Sequence, residues 1–519
     1  MSETWRPRVN PWLIAAAVML ATFMEVLDTS IASVALPYIG GNLGATPSEA
    51  TWVLTSYLVS NAIVLPASSW LSRHFGRKRL LLVCIGIFSA SSFLCGAATS
   101  LPMLIFARVL QGAGGGALQP LAQSIMLESF APAKRGTAMA VYGIGVVCAP
   151  ILGPTLGGWL TDTWSWRWAF YINLPVSLVA VFMISLFVDD PPWIRDGKPG
   201  RIDGVGLGFM ALGLGTLQIL LDKGQEADWF GAPWMRWLAG VSAVSLVFFI
   251  FWELRVSDPI VNLRILKNYN FGMTCCLFFL FGGAVYGLVA LQPLFLQTLM
   301  GYTALEAGLT VSPRGLGAFC ALFVVGALIA KVGGRRLAAF GFLVFSLSAF
   351  LFSRLSLQMA RSSLLAPNII SGFGAGFIFV PLTTVGLATL RNDQIGNAAG
   401  IQNLVRNLGG SVGISFVSTM LERFAQAHQA FMTGRVSALN PVYLQDLGRV
   451  QGVLQSHFSP VDARLRAEGL IYNIVHQQTG YWAFIELFYS FMWVGLACAL
   501  GVWLLKVVKS PTPAAAAAH

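Results

Sequence analysis

LATFMEVLDTSIASVALP, residues 20–37, fills the middle of the first long apolar run and carries two carboxylates, Glu25 and Asp28. The run suits a helix that crosses a bilayer, which takes roughly 20 apolar residues. A carboxylate at the centre of such a helix costs about 2.5–3.5 kcal/mol on insertion scales. Acids kept there against that cost face the interior of a helix bundle and carry function. Residues at i and i+3 share one helix face. Two neighbouring carboxylates in a low-dielectric site resist ionising together, which is the property of a carrier that loads and releases a proton.

The rest of the chain is built in the same way. Of 519 residues, 56% are hydrophobic and only 11% charged, whereas soluble domains run near 45–50% apolar and about 25% charged. The chain reads as an all-α polytopic membrane protein, because spanning segments satisfy their own backbone hydrogen bonds. A net charge of +11 would suit nucleic acid, but the Lys and Arg gather in short loops between apolar runs and form no compact basic face. The seven cysteines, Cys84, Cys95, Cys148, Cys275, Cys276, Cys320 and Cys498, fall inside apolar runs without metal-ligand spacing, so they read as reduced core residues, and no cofactor or metal is expected.

About fourteen spans are expected, near residues 12–36, 52–70, 80–98, 102–126, 136–160, 166–188, 204–221, 236–254, 270–295, 305–330, 336–354, 362–388, 397–422 and 481–505. With the N-terminus inside, basic residues in short loops favour the inner side by about four to one, which places both termini in the cytoplasm. An internal repeat is visible. Gly112, Gly114 and Gly116 correspond to Gly372, Gly374 and Gly376, and Gly136 and Gly153 to Gly396 and Gly413. The expected organisation is a six-helix bundle over residues 1–190, two inserted helices over 204–254, and a second six-helix bundle over 270–505. The last includes an outer helical extension, 423–480. Such parallel repeats place a substrate site between the halves near the midplane.

Elimination narrows the chemistry. His74, His428, His457, His476 and His519 all lie outside the expected spans. Asp222, Glu253, Glu306, Glu422 and Glu486 fall at span ends, where water or headgroups reach them. Glu25 and Asp28 remain as proton carriers, or as structural ion-pair partners. Arg108, Arg314 and Arg406 lie within spans and stay charged. Arg108 is placed to toggle an acid or to hold a fixed pair, and Arg314, after Pro313, to snorkel outward. Polar candidates for a substrate cavity are Tyr57, Asn61, Gln111, Gln123, Tyr142, Tyr286, Gln292, Asn403 and Arg406; ordinary interhelical hydrogen bonds would explain most of them equally well. No His, Ser or metal constellation marks an enzyme.

Several segments resemble one family. LDTSIASVALP with Asp28, RVLQG with Arg108, and GPTLGG with Gly153, Pro154, Gly157 and Gly158 resemble motifs of the fourteen-span drug:proton antiporters of the major facilitator superfamily. LDKGQEADW, DPIVNLRILKN and GYTALEAGL resemble its EmrB-like (EmrB/QacA) branch of multidrug efflux transporters. The resemblance implies proton coupling through Asp28 and Arg108, beside the Glu25 that its position alone nominates, and export rather than import. It also implies an inner-membrane location and a tripartite pump with an EmrA-like periplasmic membrane-fusion adaptor and a TolC-like outer-membrane channel. The extension 423–480 would face the adaptor. The loop SSWLSRHFGRKR keeps Gly76 and Arg77 of the family's conformational motif but carries Ser69 and Arg73 where a Gly and an Asp are usual, so the resemblance does not extend to the gating pair that this Asp makes. Span 13 carries Arg406 and no acid before Glu422, which favours a lipophilic cargo that is neutral or weakly acidic. An adaptor-independent exporter of a physiological lipid or siderophore would have the same fold.

Overall fold

The computed structural model describes residues 7–131, 134–190, 203–391, 394–434, 436–437 and 439–506. These form helices throughout, with no strand among the described residues. Residues 1–6, 191–202 and 507–519, His519 among them, lie outside the described residues.

The first half contains α1 (Pro11–Leu43), α2 (Trp52–Phe75), α3 (Arg77–Ala97), α4 (Leu101–Gly115), α5 (Leu118–Ser129), α6 (Arg135–Thr163) and α7 (Asn173–Phe187). The expected fourth span is thus two segments, α4 and α5, broken at Gly116. Two further helices follow, α8 (Gly204–Lys223) and α9 (Pro233–Arg255). The second half contains α10 (Tyr269–Thr298), α11 (Ala304–Val311), α12 (Pro313–Val332), α13 (Gly334–Phe352), α14 (Leu365–Leu387), α15 (Ile395–Thr433), α16 (Pro441–Leu454) and α17 (Pro460–Gly501). Local chemistry sets several starts. Asn10 caps α1 ahead of Pro11, Thr303 and Glu306 close a capping box on α11, and Ser459 caps α17. Each places a side-chain acceptor on otherwise unpaired first-turn N–H groups.

Twelve helices among the described residues are long and apolar enough to cross a membrane. Two expected spans fall short of that apolarity, α2 and α15. The reason is their position: α2 and α15 pack on each other, with α8 laid against both. Their serines, threonines and amides are turned inward, as with Ser56, Ser60 and Asn61 of α2 and Gln402 and Asn403 of α15.

The glycine repeat is a packing repeat. A Cβ on Gly112 or Gly116 would meet the α2 carbonyls of Tyr57 and Asn61 at 2.4 and 2.7 Å, and one on Gly114 would meet Phe88 N of α3 at 2.7 Å. In the second half, Gly372 meets Arg314 O of α12 at 1.7 Å and Gly374 meets Phe345 N of α13 at 2.7 Å. In each half one helix is clamped between two neighbours, backbone against backbone, which only residues without side chains allow.

Residues 423–480, expected as a helical extension, fall mostly on the ends of two long helices. The extension is an outgrowth of two spans. α15 has 39 residues and α17 has 42, at about 1.5 Å per residue, against a hydrocarbon core of about 30 Å. The short helix α16 lies along the protruding part of α17, where Leu447, Ala463 and Ala467 are buried.

Candidate functional site

Asp28 is fully buried. Its Oδ2 receives Arg108 Nη1 at 2.6 Å. Its Oδ1 receives Gln111 Nε2 at 2.9 Å and Asn173 Nδ2 at 2.7 Å. Both amides also donate to Ser92 Oγ. The guanidinium donates further to the Val53 carbonyl and to Gln111 Oε1, and lies 4.3 Å from the centre of the Tyr57 ring. Breaking such a buried pair from one side costs about 3–5 kcal/mol.

Glu25 sits in a different cage. Tyr57 Oη and Asn61 Nδ2 each donate to its Oε1 at 3.2 Å, and Gln119 Nε2 donates to its Oε2 at 2.6 Å. No cation among the described residues touches it. Gln119 turns its Oε1 to Arg406 Nη2 of α15 at 2.6 Å. Tyr57 therefore joins the two acids, and Gln119 joins Glu25 to the second half of the molecule.

A cavity of about 420 Å³ lies between the halves, walled mainly by α1, α6, α10, α11, α12 and α14. Its lining is mostly apolar, with Ser30, Ser33, Tyr286, Arg314 and Arg406 among the polar residues. On the side where the chain ends gather, the halves close over it. Asn403 Nδ2 donates to Gln123 Oε1 at 2.6 Å and Thr137 Oγ1 to the Gly326 carbonyl at 3.4 Å.

Of the expected cavity residues, Tyr286 and Arg406 line this space. The structure corrects the placement of the others. Tyr57, Asn61 and Gln111 belong to the acid cages. Tyr142 donates to the Gln119 carbonyl, Gln123 and Asn403 bond each other across the halves, and Gln292 accepts from Arg314. Each satisfies a buried partner, which is the ordinary fate of a polar group in a bundle. Arg314 does not snorkel. It is 7% exposed, donates to Gln292 and lines the cavity. Glu253 is likewise enclosed, not washed by headgroups, and accepts from Val261 N.

The motif residues have clear positions. Arg77 pairs with Glu128 at the end of α5. Asp190 accepts from the backbone N–H groups of Arg77 and Lys78 at the start of α3, beside Gly76 at φ 85°. The carboxylate missing at Arg73 is thus supplied from elsewhere in the chain, and Arg73 itself faces Asp258 at 3.9 Å. A Cβ on Gly153 would lie 2.2 Å from Ser30 Cβ and one on Gly157 3.2 Å from Ile31 Cα, whereas Gly158 has open space. Pro154 lines the cavity. The sequence reading passed over Ser92, Gln119, Glu128 and Asn173. Their only signal was a polar residue inside or at the end of an apolar run.

The profile of the Major Facilitator Superfamily matches residues 18–414. The chain belongs to the major facilitator superfamily. Within it the chain is EmrB-like. The multidrug export protein EmrB of Escherichia coli (strain K12) is 38% identical over 431 residues, 83% of this chain and 84% of its own length. The fatty acid resistance protein FarB of Neisseria gonorrhoeae is 38% identical over 416 residues, 80% of this chain and 82% of its own. The crystal structure of the human organic anion transporter MFSD10 (TETRAN) superposes with a TM-score of 0.59 at 15% identity, covering 96% of this chain and 100% of that one, which shows the shared fold. As a member of this superfamily the protein is a multi-pass membrane transporter.

Proposed function

We propose that this protein is a proton-coupled antiporter that exports lipophilic compounds, neutral or weakly acidic, by alternating access between its two six-helix halves. The observation that carries the reading is the pair of buried acids in adjoining cages, one of them linked through Gln119 and Arg406 to the central cavity. Glu25, held by neutral donors alone, is the loading acid. A proton passed to Asp28 removes the charge that holds Arg108, and the N-terminal half repacks. Protons arrive from the outer side and leave to the cytoplasm, which drives cargo outward. The proposed topology is fourteen spans with both termini cytoplasmic.

The multidrug export names of its relatives support drugs or toxic compounds as cargo. The fatty acid resistance name of another supports a lipid-like acid as a second reading. The protruding hairpin of α15, α16 and α17 supports docking to a periplasmic adaptor, in a tripartite pump that ends in an outer-membrane channel. The direct test is proton release from proteoliposomes on adding candidate compounds, wild type beside Asp28→Asn. Gradient-driven export by the Asn variant at the wild-type rate would overturn the assignment.

A further inference from the structure

Four arginines are buried among the described residues: Arg77, Arg108, Arg314 and Arg406. Glu128 neutralises the first and Asp28 the second. Neither of the other two has a carboxylate within ion-pair distance among the described residues. Arg314 donates Nη2 to Gln292 Oε1 at 2.6 Å, and its Nε meets no partner among the described residues. Arg406, 4% exposed, donates Nη2 to Gln119 Oε1 at 2.6 Å, and its Nε is likewise unmet. Glu25 is the acid nearest to Arg406 along these bonds, one amide away. Both arginines line the same cavity, and no Asp or Glu is among its lining residues. Removing an ion from water costs several kcal/mol unless an opposite charge compensates it. Two cations facing one acid-free space therefore make a site for an anion.

We propose that Arg314 and Arg406 make this cavity the binding site for the ionised headgroup of an amphiphilic carboxylic acid. A guanidinium fork matches a carboxylate with two parallel hydrogen bonds. Arg314 sits directly after Pro313 in the first turn of α12, where the helix dipole adds to the attraction. The acyl or aryl tail lies along Val34, Pro154, Val285, Val289 and Phe379, which line the same space. This assignment rests on the efflux reading for its cargo and sharpens it: the charged form of the acid is what the cavity holds, and an uncharged analogue binds weakly.

The test uses the purified full chain in detergent, without any gradient. The probes are 11-(dansylamino)undecanoic acid and its methyl ester, titrated by fluorescence at pH 8. The wild type should bind the acid at least about tenfold more tightly than the ester. Arg314→Gln and Arg406→Gln should each weaken the acid about tenfold and leave the ester within about twofold, with Arg314→Lys between. Equal weakening of acid and ester, or an unchanged acid affinity in Arg314→Gln, would overturn the proposal. If the Gln variants do not fold, the wild-type ratio decides, since a ratio near one is equally fatal and needs no substitution. The two readings fail separately. Arg314-dependent binding without gradient-driven transport retires the efflux reading and keeps the site. Gradient-driven transport of acid and ester alike does the reverse.

Discussion

Each of the two acids of α1 is held in a way that forecasts its mutant. Asp28→Ala leaves Arg108 buried without a counter-charge, so it should lower stability by about 3–5 kcal/mol, seen as a fall in the melting temperature of the purified protein. Asp28→Asn keeps the shape but not the charge opposite Arg108, and its amide N–H meets a donor where a carboxylate oxygen accepted, so it should melt below the wild type, by less than Asp28→Ala, and lose gradient-driven export. Glu25→Gln should leave the melting temperature near that of the wild type while flattening the pH dependence of export; an unaltered pH profile would make Glu25 a structural residue. These acids and Arg108 were legible in the sequence because a charge in an apolar run has to be explained. Gln119, Asn173 and Ser92 were not, because small polar residues are common at helix contacts. Arg314 was misread for a related reason. It turns inward to Gln292 of α10, and no residue adjacent in sequence shows that.

Among helices, the contact of α6 with α1 is the sharpest. Ser30 Cβ would lie 2.2 Å from a Cβ on Gly153, whereas a Cβ on Gly158 meets nothing within 4 Å. Gly153→Ala should therefore force the helices apart at a cost of about 1–3 kcal/mol and reduce export. Gly158→Ala, five residues on in the same motif, should change neither. Thermal melts of the two variants side by side check this. The glycine motif was visible in sequence, but its three glycines were equivalent there. Packing alone separates those that touch α1 from the one that does not.

For the molecule as a whole, the bonds across the halves set which side of the cavity is closed. Asn403 and Gln123 bond each other on the side of the chain ends. Asn403→Leu removes that bond, about 0.5–1.5 kcal/mol, and should shift the population toward the opposite conformation by roughly two- to tenfold. The shift would be read as faster labelling of a cysteine placed at Ser124. The protruding hairpin of α15, α16 and α17 should be separable from transport. Replacing residues 436–458 with a short flexible linker should leave export in proteoliposomes intact and abolish resistance in cells that depend on the adaptor. Loss of both would mean that the hairpin holds the halves together.

Hydrophobic run length, the glycine repeat and the isolated charges were enough to determine a helical membrane bundle with two related halves and to nominate its acids. These are local properties, set by the cost of placing polar groups in lipid. Only the tertiary structure decided that α2 and α15 can be less apolar than their neighbours, because other helices shield them. It also decided that Asp28 is ion-paired while Glu25 is not, and that Arg314 faces the cavity. Those facts depend on which residues, far apart in the chain, are brought within a few ångströms of each other, and no pattern along a single helix records that.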